Sequence, residues 1–191
     1  MVAGDQPASG LSVRLHRLTG LAWWQARRAE LDQIFFEASL TKTFADETAR
    51  AIFRERWLGR FVSRWPDLAH VALGAGGEIV GYIVGAHGDP ARDPAFADIG
   101  FYRRLEHLTP HFPAHLHINL APAARGLGVG SRLIEAFVAD ARSAGCAGVH
   151  LVTGRSSRNR SFYARNGFAC LADLDWSGTP IVMLGRSLGE K

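Results

Sequence analysis

The sequence predicts an α/β fold: one domain built on a mixed central sheet of about six to seven strands, flanked by about four helices. Three observations carry this. Short segments with strand alternation or continuous apolar character recur between segments with helical spacing. They recur in the order β-α-α-β-β, then β-α-β-α-β-β, which combines hairpins with crossovers. The 191 residues are enough for one sizeable core, and 47% apolar with 21% charged is the balance of a globular chain.

The elements follow in chain order. "LSVRLHRL" (11–18) alternates Leu11, Val13 and Leu15 against Ser12, Arg14 and His16, a half-buried strand. Residues 22–38 place Trp24, Leu31, Ile34 and Phe35 at helical spacing, and 46–64 form a second amphipathic helix ended by Pro66. "HVALGAGGEIVGYIVGA" (70–86) reads as a hairpin turning at "GAGG". Residues 87–114 carry four prolines and no long period, which predicts a loop with a helical turn or two near 100–108. Phe96, Phe101, Tyr102 and Phe112 argue that this loop packs against the domain, as an insertion on the substrate side. Then come a strand at 115–122, a helix from about 131 to 144, a strand at 148–153, a short helix near 158–165 and strands at 168–174 and 179–188.

Composition excludes some classes of function. The net charge of +4 is spread over scattered arginines, whereas a nucleic-acid footprint needs a clustered basic stripe. No segment has the length of a membrane span, and "MVAGDQPASG" (1–10), polar and loose, lacks the pattern of a signal peptide. A cytoplasmic protein with neither a nucleic-acid nor a membrane partner is the expectation. Cys146 and Cys170 have no CxxC spacing, so both are expected reduced and buried, with no bound metal. His107, His111, His115 and His117 cross a proline-containing loop and fix no ligand set.

The stretch that says most is "ARGLGVGSRLIEAF" (124–137), where Gly126, Gly128 and Gly130 lead from a strand into a helix. Glycines let the backbone turn its N–H groups inward, and a helix N-terminus adds positive potential, so the pattern suits a phosphate or pyrophosphate. No Lys-Ser/Thr follows the last glycine, so it is not a Walker loop. The spacing and the upstream hairpin do not fit a dinucleotide-binding fold either.

The string Arg125-Gly126-Leu127-Gly128-Val129-Gly130, following "HINLAP", resembles the acyl-CoA-binding segment of the GNAT superfamily of N-acetyltransferases. "SFYARNGF" (161–168) is similar to that superfamily's later helix and turn, and the element order agrees over 11–188. More narrowly, "FPAHLHINLAP" resembles acetyltransferase-like domains related to those fused to some bacterial O-GlcNAcases. The resemblance implies a single GNAT-like domain over 11–188, with a flexible 1–10 ahead of it. It implies acetyl-CoA as co-substrate and an amine acceptor. Asn119, Leu120 and Ala121, beside Ile118, would bond the pantetheine arm through their backbone. Arg125, Gly126, Leu127, Gly128, Val129, Gly130 and Ser131 would hold the pyrophosphate. Tyr163 would protonate the departing thiolate, with Ser156 or Asn159 near the CoA arm and Arg155, Arg158 and Arg160 near its 3′-phosphate.

Many members of that superfamily carry a glutamate on the strand before the glycine turn, and this chain has none there. His115, His117 and Asn119 share one face of that strand, opposite Leu116, Ile118 and Leu120. His117 is the leading candidate base, because imidazole titrates near neutral pH. A β-bulge on this strand would swap the faces. Asp98 and Glu106 are alternative bases or anchors, and Asp98, Tyr102, His115 and His117 are candidate substrate contacts. The missing carboxylate also motivates a rival reading, a non-catalytic acyl-CoA-binding module. Homodimerisation is left open.

Overall fold

The computed structural model describes residues 12–189; the stretch 1–10 and the first residue of the first expected strand lie outside them. Seven strands form one sheet in the order β1-β2-β3-β4-β5-β7-β6. Strands β1 (Arg14–Arg17), β2 (His70–Leu73), β3 (Ile79–Ala86) and β4 (Ala114–Leu120) run antiparallel in succession. Strand β5 (Gly148–Gly154) is parallel to β4, and β7 (Thr179–Ser187) closes against β5, leaving β6 (Ala169–Trp176) at the edge.

Helices cover both faces. On one lie α1 (Arg28–Ala38), α2 (Glu47–Arg54) and α3 (Arg60–Arg64); a π-helical turn, Glu55–Gly59, makes α2 and α3 one continuous run. Asp46 starts that run by accepting the Ala49 N–H at 2.7 Å, and Pro66 follows its end. On the other face lie α4 (Val129–Ser143) and α5 (Arg160–Arg165). Leu133, Ile134, Phe137, Val138 and Ala141 form the buried stripe of α4, and each large apolar side chain so buried contributes about 1.5–3 kcal/mol. Residues 87–114 pack as expected: Phe96, Ile99, Phe101, Tyr102 and Leu105 are buried with α1 and α3 in one core layer.

The structure departs from expectation in two places and keeps to it in a third. The first helix begins at Arg28 rather than near 22, because the buried Leu18 and Leu21 hold the chain in three-residue turns through Arg27. Cys170 is exposed, because it opens the edge strand β6; Cys146 is half-buried, and both thiols are free. Strand β4 has no bulge against β3, so His115, His117 and Asn119 do share a face, turned toward the α1–α3 layer. Among the described residues no helix is long and apolar enough to cross a membrane.

Candidate active site

The site begins where the sheet fails to stay closed. The parallel strands β4 and β5 pair only at Ala114↔Val149 and His115↔His150 among the described residues. Beyond that they part, and His117 to Leu120 on β4 and Val152 to Gly154 on β5 become half-buried where their neighbours at the fork are buried. A parted pair of strands leaves unsatisfied backbone donors and acceptors along its inner edges, which an extended ligand can take up.

The fork leads to the glycine turn. Gly126 and Gly128 have φ of +77° and +75°, where an L side chain is strained. Gly128 is the N-cap residue of α4. Gly130 is required for a different reason: a Cβ there would stand 2.9 Å from Phe162 Cζ and 3.3 Å from Leu120 Cδ1. The end of β4, the first turn of α4 and α5 therefore converge on that glycine. The backbone N–H groups of residues 126–131 have no acceptor among the described residues, so they are free for an anion at the helix N-terminus. Arg125 is not part of that set. Its guanidinium turns back and donates to the Leu120 carbonyl at 3.0 Å, bracing the turn against the strand. Leu127 is exposed and Ser131 half-buried.

Tyr163 lies on α5, buried against Phe162 and Phe168. Burial raises its phenol pKa, which keeps the hydroxyl protonated. Ser156 and Asn159 are both exposed at the entrance to α5, where the Ser157 hydroxyl donates to Asn159 Oδ1 at 2.5 Å. Arg155 is taken by Asp173, and Arg160 donates to the Arg155 carbonyl.

The opposite face of β4 is aromatic. His117 sits between Trp57 of the π turn and Phe61 of α3, at 5.4 and 5.0 Å between ring centroids. Its ring nitrogens have no hydrogen-bond partner among the described residues, and its pKa is lowered to about 4 by burial, with repulsion from His150 and Arg60 adding to it. His117 is therefore a neutral acceptor at physiological pH. Asn119 donates to the buried Tyr82 hydroxyl at 2.8 Å.

His115 and Tyr102 lie deeper. The His115 ring stacks on His150 at 5.6 Å and is boxed by Phe96, Phe61 and Tyr102. His150 Nδ1 donates to the Phe112 carbonyl at 2.5 Å, which leaves its Nε2 as a bare acceptor. The Nε2 atoms of both histidines are buried without a partner. Burial lowers the pKa of His115 well below the usual value and that of His150 to about 4. Buried atoms of this kind are commonly met by internal water.

Asp98 is engaged elsewhere. Arg60 donates to both of its oxygens at 2.8 and 2.7 Å, Arg56 adds a third bond, and these cations hold the carboxyl down to about 2. Its geometry is that of an exposed clamp between the 87–114 segment and α3, and its low pKa makes it a weak acceptor for a substrate proton. Glu106 is exposed in the following turn. Sequence reasoning missed Trp57, His150 and the Arg60–Asp98 pair. His150 left one signal, a polar residue in the otherwise apolar "GVHLVT" strand.

Comparison with known proteins follows the same lines. Residues 24–168 match the Acetyltransferase (GNAT) family. Among solved structures, the chain is similar to SsHAT, at 25% identity and a TM-score of 0.69, covering 94% of this chain and 100% of that one. It shares its fold with Ard1 from Thermoplasma volcanium (17% identity, TM-score 0.57, 95% and 99% covered). It also shares it with yncA from Salmonella typhimurium, determined with its cofactor acetyl-CoA (16% identity, TM-score 0.55, 96% of both chains). A parted β4–β5 pair leading into a glycine turn, on this topology and under this family match, places the chain in the acetyltransferase (GNAT) family.

Proposed function

We propose that the protein transfers an acetyl group from acetyl-CoA to a primary amine, directly within a ternary complex. The observation that carries the reading is the fork between β4 and β5, continuous with six free N–H groups at the start of α4. The pantetheine arm would pair with the inner edge of β4 along Ile118–Ala121, and the pyrophosphate would sit on residues 126–131. The GNAT family match over residues 24–168, and acetyl-CoA bound to yncA on the same fold, support this donor.

The residues divide the chemistry between them. The acceptor, as free amine after giving its ammonium proton to the medium, attacks the thioester carbonyl; the C–S bond breaks, the nitrogen's surplus proton passes through His117 to solvent, and the departing thiolate takes a proton from solvent. In this reading Tyr163 donates a hydrogen bond to the sulfur as charge develops there. Because burial raises its pKa, it keeps its proton and acts on the thiolate through that hydrogen bond rather than by giving the proton up. His117, with a pKa near 4, is too weak to strip an ammonium ion, since each pKa unit of mismatch costs about 1.4 kcal/mol. It suits a later step, accepting the proton of the nitrogen once attack has made that nitrogen acidic.

Isothermal titration with acetyl-CoA tests the donor, and CoA release in the presence of an amine panel tests the transfer. Saturable binding with turnover is expected, and absence of binding overturns the reading. The rival reading, an acyl-CoA-binding module without catalysis, has one observation in its favour: β4 has no carboxylate in its seven residues. Binding without turnover across the panel would establish it.

A further inference from the structure

His117 is the first ring of a longer row. Trp57 meets it edge-on and lies parallel to Phe101, with centroids 6.5 Å apart and planes 11° apart. Phe101 in turn meets Trp176, near the β6–β7 turn, at 6.3 Å and nearly perpendicular. Four segments far apart in the chain thus contribute one row of rings, in which Trp57 and Trp176 are joined through Phe101. Phe101 is buried behind it, whereas His117, Trp57 and Trp176 are half-buried, so the row runs from the fork outward to solvent. The seat of Trp176 is shaped for it: a Cβ on Gly100 would lie 2.8 Å from Trp176 Cη2 and Cζ2.

Most carboxylates beside this wall are already matched; Asp175, next to Trp176, is the exception, and its Oδ1 accepts the Gly178 N–H. Asp98 is held by Arg60 and Arg56, Asp32 by Arg54 at 2.8 Å, and Asp173 by Arg155. Glu55, beside Trp57 in sequence, lies 3.9 Å from Arg54. A polyamine or a lysine-rich peptide needs unmatched carboxylates, and it approaches a chain whose net charge is +4. A flat apolar group needs ring faces and edges, which the wall supplies.

We propose that the acceptor is an arylalkylamine, a primary amine on a flat uncharged aromatic group whose ring packs along Trp57 and Trp176 while its nitrogen reaches His117. The chemistry rests on the acetyl-transfer reading above; the recognition does not.

The test titrates the full-length chain with 2-phenylethylamine, n-hexylamine and spermidine, following tryptophan fluorescence, and repeats the series as CoA release from acetyl-CoA. Phenylethylamine is expected to bind and react about tenfold better than hexylamine, in line with the extra attraction of aromatic pairs, and spermidine worst. Trp57→Ala and Trp176→Ala should each reduce that preference several-fold, while Trp57→Phe keeps it. Equal affinity for phenylethylamine and hexylamine, or a preference for spermidine, overturns the proposal, and the wild-type panel decides this without any variant. Tight phenylethylamine binding without any acetyl-CoA binding would uphold the aromatic recognition and overturn only the transfer reading.

Discussion

The two sides of β4 solve different problems with different materials. Toward α4 and α5 the strand offers backbone: an unpaired edge, two glycines at positive φ and a run of free N–H groups. Toward α1–α3 it offers side chains, with an imidazole set into a wall of rings backed by an ion pair of a buried Arg60 and an exposed Asp98. Backbone recognition tolerates changes of side chain and suits a ligand with one constant shape. A side-chain wall is changed by any substitution in it and suits the ligand that varies. The comparison teaches that the donor side should fail through geometry, and the acceptor side through chemistry and selectivity.

The largest expected effect tests whether α5 belongs to the donor side as a reactive group or only as packing. Tyr163→Phe keeps the ring between Phe162 and Phe168 and removes only the hydroxyl. Turnover should fall about 100-fold, with acetyl-CoA affinity within about twofold of the parent. Steady-state kinetics beside calorimetry checks this, and an unchanged kcat would return Tyr163 to the core. Next in size, Gly128→Val places a β-branched residue at φ +75°. Acetyl-CoA should bind about 30-fold more weakly, because hydrogen bonds to a charged group are worth about 1.5–3 kcal/mol each and the strained turn misaims them. Phenylethylamine binding should not move, and a parallel loss of both ligands would erase the distinction between the two sides.

The same division explains what the sequence made legible. The hairpin, β4, α4 and the glycine turn are local, and their periodicities and glycines lie within short windows, so they were readable to within a few residues. The row of rings has no local signature: its members come from positions 57, 101, 117 and 176, joined only by folding. Asp98 looked available as a base because the arginines that occupy it are 38 and 42 residues away in sequence. His117 was legible by strand alternation, yet its acidity was not, since its depressed pKa comes first from burial under helices and a loop elsewhere in the chain. The late start of α1 escaped because Trp24 continues the helical spacing while the buried Leu18 and Leu21 override it.

A smaller effect is expected on the acceptor side. His117→Phe preserves an aromatic ring against Trp57 and Phe61 and removes the proton acceptor. A fall in kcat of about tenfold, with both ligands still bound, fits a group that takes the proton late. The pH profile sharpens this. With a pKa near 4, His117 is already neutral throughout the physiological range, so kcat/KM should rise with pH through the ionisation of the acceptor amine, with no inflection near 6.5. An inflection there that disappears in His117→Phe would show that the substrate complex raises the histidine's basicity.

The last effect leaves neutral-pH activity untouched and reads the boundary between the two sides, the closed base of the fork where His115 and His150 stack. Burial holds both, with His117, below the pKa of 6.5 from which they start. The folded state therefore resists protonation that the unfolded chain accepts. Stability is complete above pH 6.5 and declines as pH falls toward 4, by up to about 1.4 kcal/mol per pH unit for each histidine. Asp98, held near 2 by its arginines, has the same sign in a lower window and loses its contribution only between about pH 4 and 2. Urea denaturation from pH 7.5 to 4.5 should show the first decline alone. In His150→Gln the slope should fall by about one proton, because one of the imidazoles that burial keeps from protonating, His87 included, is gone. An unchanged slope would mean that water at the base of the fork already lets His150 take its proton in the folded state, and that the fork is wet from its closed end as well as from its mouth.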